Sequence, residues 1–146
     1  MIDLQSFAAR GDIRGYLNAP FQDDGHAIAT NSHIAVIVWE AGGGLPTAHE
    51  KMIGRVQALE RDSRQYSQAL PITLPERPSM PCNGSGVGFR TIDLEADGVR
   101  YRFQERYLRL IQGLPNHKLL VNGDPKAFAR FEFDGGAGVL MPCYLD

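Results

Sequence analysis

A chain of 146 residues, 43% hydrophobic and 22% charged, is long enough to close one hydrophobic core and too apolar to be disordered. A formal net charge of −2 excludes a protein coated in basic surface for wrapping nucleic acid, while leaving a local basic patch open, because affinity for phosphate follows where the charge sits. No apolar run approaches the roughly 20 residues that cross a bilayer, and Met1 to Gln5 lack the basic and apolar stretches of a signal peptide, so a cytoplasmic protein with no membrane partner is expected.

Taken in order, Ile2 to Arg10 reads as a strand end leading into one short helix. Asp3 suits its N-cap, Leu4, Phe7 and Ala8 its apolar side, and Gly11 ends it. Asp12 to Phe21 is expected to be extended, since Gly15 and Pro20 oppose a continuing helix. Asp23-Asp24-Gly25 is a hairpin signal, and His26 to Thr30 leads to a second turn at Asn31 and Ser32. His33 to Trp39 is β-branched and almost wholly apolar, which suits a strand buried on both faces.

The middle of the chain changes character. Gly42, Gly43 and Gly44 make a flexible break, and Thr47 with Glu50 forms a capping box. Met52, Val56, Leu59, Tyr66 and Leu70 recur at three- and four-residue steps, predicting an amphipathic helix over 47–69. Its outer face, with Lys51, Arg55, Glu60, Arg61, Asp62 and Arg64, is mixed in sign. That pattern fits a solvated face, or alternatively a surface for assembly or for clasping a partner. Pro71, Pro75, Pro78 and Pro81 then enforce a loop. Cys82 to Gly88 is similar to the second half of the Cys-x-x-Cys-x-Gly-x-Gly repeat of Hsp40-type zinc domains, but Ser79 stands where the first cysteine belongs. Cys82 and Cys143 are the whole supply, too few for a four-ligand zinc site or a disulfide framework, so neither a metal nor a cofactor is expected. The glycines here also lack the Lys-Ser/Thr of a phosphate-binding loop.

From Val99 to Phe103 apolar residues alternate with arginines, the period of a half-buried strand. Glu105 to Gly113 places Tyr107, Leu108, Ile111 and Leu114 on one helical face and Arg106, Arg109 and Gln112 on the other; Gly113 and Pro115 stop it. Strands are expected at Lys118–Val121 and Ala127–Phe133, parted by the turn Asn122 to Pro125, and again at Val139–Pro142 after a turn at Asp134, Gly135 and Gly136. The order is β-α-β-β-β.

Two stretches carry a family likeness. Arg102 to Pro115, with Val139-Leu140-Met141-Pro142, resembles half of one domain of the bacterial sliding clamp, the ring-shaped processivity factor of DNA polymerase. Ile28 to Val36 is similar to the clamp segment Ala-Thr-Asp-Gly-His-Arg-Leu-Ala, with Asn31 and Ser32 in place of Asp and Gly and Ile34 in place of Arg. Asn31 tolerates the turn, but the missing arginine weakens any inference of a DNA contact at that position. The resemblance implies an α+β, DNA-clamp-like single domain over 1–146, its two β-α-β-β-β halves at about 1–40 and 90–146, with a helix and a Pro/Gly-rich loop inserted at 45–89. Clamp helices line the ring and face the DNA backbone, so the likeness implies duplex DNA against Arg102, Arg106, Arg109 and Lys118. It also implies that Met141, Pro142, Tyr144 and Leu145 form a rim for a replication protein or polymerase peptide. Encirclement of DNA by one such domain requires a homo-oligomer. The competing expectations are that the arginines form a solvated face balanced by Glu105 and that the tail folds into the core.

Nothing in the sequence asks for catalysis. His26, His33, His49 and His117 lack metal-site spacing, and Ser85 lacks the Gly-x-Ser-x-Gly elbow. Asp23, Asp24 and Asp134 are explained by turns. The expectation is a non-enzymatic, clamp-like DNA-binding or replication-associated domain. Its alternative is a phage-type adaptor or protein-interaction domain that keeps the clamp fold without binding DNA.

Overall fold

The computed structural model describes residues 3–8, 20–23, 25–31, 33–40, 50–74 and 90–143. Among the described residues nine strands and two α-helices follow in chain order. They are β1 (Phe21–Asp23), β2 (His26–Thr30), β3 (Ile34–Val38), α1 (Glu50–Asp62), β4 (Gln68–Ala69), β5 (Thr91–Ala96), β6 (Val99–Gln104), α2 (Glu105–Gln112), β7 (Lys118–Val121), β8 (Ala129–Phe133) and β9 (Gly136–Leu140). The class is mixed α+β, and the strand pairings are antiparallel.

Seven strands form one sheet in the order β1-β2-β3-β9-β8-β7-β4. Leaving β4 aside, the order is a palindrome: two three-strand meanders meet through their last members, β3 and β9, with Ile34 opposite Leu140 and Val38 opposite Gly136. Glycine makes that junction close. A Cβ on Gly138 would run into the Phe131 ring and the Ala35 carbonyl oxygen. Asp134 and Gly135 form the expected turn, but Gly136 already begins β9, three residues before the expected start at Val139.

Strand alternation sorts the sheet residues onto two faces. Ala29, Ile34, Val36, Leu119, Val121, Ala129, Phe131, Phe133 and Leu140 pack with Tyr107, Leu108 and Ile111 of α2, with Phe7, and with Tyr101 and Phe103 of β6. Phe21, Ile28, Ala35, Ile37 and Val139 face the other way, onto Val56 of α1. The result is three layers: α2 and the β5–β6 hairpin, the sheet, then α1. The helical start expected near Asp3 is a single 3-10 turn, Leu4–Phe7, in which the Asp3 carboxylate accepts from the Ser6 hydroxyl at 2.8 Å.

Two elements differ from the sequence reading. Thr91–Ala96 pairs with β6 through a turn in which Asp97 and Gly98 hold φ of 50° and 78°, the backbone of a tight hairpin, whereas the sequence expectation begins the strand region only at Val99. The helix expected to run to Ala69 stops at Asp62. A 3-10 turn, Ser63–Gln65, redirects the chain, and Gln68 and Ala69 then pair with Val121 and Leu120. Tyr66 and Leu70 are buried as their periodicity implied, but from a turn and a strand end. The glycine break at 42–44, Thr47 and His49, the prolines 75, 78 and 81, the segment 82–88 with Cys82 and Ser85, and Asp24, Ser32, Tyr144 and Leu145 lie outside the described residues. Among the described residues no helix is long and apolar enough to cross a membrane.

Candidate functional site

The basic residues singled out above do not converge. Arg102 lies on the outward face of β6, where its Nε donates to Asp93 Oδ1 at 2.8 Å. The same guanidinium holds the Asp93 carboxyl below the usual carboxylate range. Arg100 stands opposite Glu95 in the same hairpin. The missed strand β5 thus sets an acid across from each of these two β6 arginines. Lys118 is exposed on β7, but its neighbours Leu119 and Val121 enter the core beneath α2. Alternation therefore directs Lys118 to the opposite side of the sheet, in register with Glu132.

On α2 the expected pair of solvent-facing arginines divides. Arg109 is half-buried and its Nη2 turns back one helical turn to Glu105 Oε1 at 3.1 Å. Arg106 is exposed. Its Nε donates to Gln104 Oε1 at 3.1 Å and its Nη2 to the Tyr107 hydroxyl at 2.7 Å, both neutral acceptors. The guanidinium carbon also sits 4.6 Å from the centroid of the Tyr107 ring, a cation–π distance. Among the described residues no carboxylate pairs with Arg106, so of the three proposed arginines it is the one left uncompensated.

Arg106 borders a cleft of about 510 Å³, lined also by Ser6, Asn31, His33, Tyr107 and Leu110. Local backbone chemistry builds it. Asn31 Oδ1 accepts from the backbone N–H of His33 at 2.9 Å and of Ile34 at 3.0 Å, closing an Asx turn between β2 and β3. Its Nδ2 then donates to the Tyr107 hydroxyl at 2.9 Å, tying this turn to α2. The exposed His33 ring stacks on Tyr107 with centroids 6.3 Å apart. The sequence reading named Asn31 for its turn and Arg106 for its charge; the link through Tyr107, assigned there to the apolar stripe, had no sequence signal.

The chain's last described residues pass beside this turn. Met141 N donates to His33 O and Cys143 N to Arg102 O, each at 2.8 Å, so the Met-Pro segment bridges the β2–β3 turn and β6. Met141 and Pro142 are half-buried, a position between the exposed rim and the folded-in strand that the sequence left open. Burial pushes the Cys143 thiol up, which keeps it protonated and poorly nucleophilic at neutral pH.

Across the sheet lies a charge network that sequence reasoning missed. Glu60, expected on the solvated face of α1, is 4% exposed, and Arg130 of β8 is 5% exposed. Arg130 Nη1 donates to Glu60 Oε2 at 2.9 Å, to Glu60 O at 3.0 Å and to Ser63 Oγ at 3.2 Å, while its Nε reaches Glu132 Oε2 at 2.9 Å. Arg64 adds two bonds of 2.7 Å to the Glu60 carboxylate. The hydrogen bond from Arg64 holds the Glu60 carboxyl below the ordinary range; burial opposes it and Arg130 adds to it. Its centre, Glu60, Ser63 and Arg130, is buried and bonded to itself, as suits anchoring of α1 rather than capture of a ligand. Among the described residues no three His, Cys, Asp or Glu side chains group closely enough to hold a metal ion. The chain matches no protein-family model, no curated protein and no solved structure in comparisons with each.

Proposed function

We propose that this chain is a non-catalytic, sliding-clamp-like domain that binds the backbone of duplex DNA through the α2 side of its sheet. The observation that carries the reading is the palindromic six-strand order with α2 laid across it. The two stretches that resemble the clamp family lie side by side there: Ile34 opposite Leu140, and Met141 bonded to His33. Arg106 is the phosphate contact, because it is the exposed α2 arginine without a carboxylate beside it. Met141 and Pro142, next to the β2–β3 turn, would border the place where a replication protein or polymerase peptide docks.

Fluorescence anisotropy with a labelled duplex, repeated over a range of salt, tests this. The wild type is expected to bind more weakly as salt rises, and Arg106→Ala to lower the log–log salt slope by about 1. Absence of salt-dependent duplex binding by the wild type overturns the reading. Light scattering then asks whether copies associate, as encirclement requires.

One observation favours a second reading, a protein-interaction adaptor that keeps the fold without binding DNA. Arg102 and Arg109 are matched by Asp93 and Glu105, and the chain is net acidic at −2. A monomer that ignores DNA but binds a labelled clamp-binding peptide, and loses it on Met141→Ala, supports this alternative.

A further inference from the structure

The hydrogen-bond polarity of the cleft between the β2–β3 turn and α2 specifies what it can hold. Asn31 has one possible amide orientation: Oδ1 is committed to two backbone N–H groups, so the group that meets Tyr107 is the NH₂. The Tyr107 oxygen therefore accepts twice, from Asn31 at 2.9 Å and from Arg106 at 2.7 Å. A phenol with both acceptor positions filled must aim its own O–H along the direction that is left. Among the described residues no acceptor receives that hydrogen.

The neighbouring groups share this polarity. The second N–H of Asn31 and the Nη1 of Arg106 have no partner among the described residues, and the His33 ring makes no hydrogen bond there. Ser6 has turned its hydrogen away, toward Asp3. The cleft is thus rich in donors, carries one uncompensated positive charge and is fixed by an Asx turn on one side and a helix on the other.

We propose that this cleft binds a phosphate group. Tyr107 O–H, the Arg106 guanidinium and the Asn31 amide donate to its oxygens, with the His33 ring at the edge. A planar carboxylate offers two oxygens in one plane. Donors from three side chains around a space of about 510 Å³ match a tetrahedral group, whose oxygens face several directions at once. The source is either a nucleic-acid phosphodiester, in which case the inference rests on the function proposed above, or free phosphate on a small molecule.

The full chain, ¹⁵N-labelled, is titrated with inorganic phosphate, with acetate and with duplex DNA while the Asn31 side-chain NH₂ and His33 signals are followed. Saturable phosphate shifts at these groups are expected, weakened about tenfold by Tyr107→Phe, which keeps the ring in the core, and by Arg106→Gln on the surface. Phosphate binding without duplex binding supports the cleft, identifies free phosphate as the source and removes the DNA reading. Duplex binding that leaves Asn31 and His33 unmoved keeps the DNA reading and overturns the cleft. No saturable phosphate shift, equal shifts with acetate, or affinity unchanged in both variants also overturns it.

Discussion

The two faces of the sheet are held by different physics. Under α2 the contact is almost wholly apolar, with Tyr107, Leu108 and Ile111 set against Leu119, Val121, Phe131 and Leu140, and the polar groups are left at the rim. Under α1 the apolar patch is smaller among the described residues and is joined to a buried ion network of Glu60, Arg130 and Ser63. Apolar packing tolerates sliding and rotation, whereas a network of directed bonds specifies one seat. The α1 face is therefore suited to holding its helix in one position, while the α2 face leaves its polar groups outside the core.

The largest effect that separates the two faces is expected from Arg130→Ala. It leaves the buried Glu60 carboxylate with only the largely exposed Arg64 as partner and should destabilise the fold by about 3 kcal/mol in urea unfolding. Replacing Glu60 and Arg130 together with leucine and methionine should recover most of that loss. A double variant as unstable as the single one breaks the assignment of the cost to a buried charge deprived of its buried partner. Ile111→Ala removes a fully buried side chain from the other face and should cost about 2–5 kcal/mol, with no recovery available from a polar partner.

Acid distinguishes the faces next. Because the folded-state pKa of Glu60 is depressed below its ordinary value of 4.5, its contribution is present above that value and is lost as pH falls through the lower folded-state pKa. Urea midpoints followed downward from about pH 5 should fall less steeply in the leucine–methionine double variant than in the wild type. Equal slopes would remove Glu60 as a source of acid sensitivity. The smallest effect is reserved for Arg102→Ala, whose pair with Asp93 is part-exposed and which should change stability by no more than about 1 kcal/mol. A larger loss would mean that the β5–β6 hairpin depends on charge rather than on Tyr101 and Phe103.

Much of the sheet was legible because its periods are local. The alternation in Lys118–Val121 and the apolar run through Ile34–Val38 state their own geometry, and the helical face of Tyr107, Leu108 and Ile111 survives intact. What failed was pairing at a distance. Thr91 to Ala96 alternates Ile92, Leu94 and Ala96 with Asp93 and Glu95, a short signal whose meaning depends on its partner strand β6. Without β5 its acids were invisible, and Arg100 and Arg102 looked like a bare cationic stripe. Glu60 carries a polar side chain at a helical position that nothing local marks as inward. Only Arg130, 70 residues away, explains its burial. The cleft was half legible: Asn31 advertised its turn and Arg106 its charge, but the oxygen that joins them belongs to a tyrosine that reads as core.

The seam between β3 and β9 has a kinetic consequence. Its partners lie about a hundred residues apart along the chain, so closing it costs more loop entropy than any hairpin in the sheet and should come late in folding. That same cost grows only as the logarithm of the connection, about 0.6 kcal/mol for each doubling. An exposed turn within that connection, such as Asp97–Gly98, can therefore lengthen while the join endures, and the refolding rate, more than the final stability, will register the change.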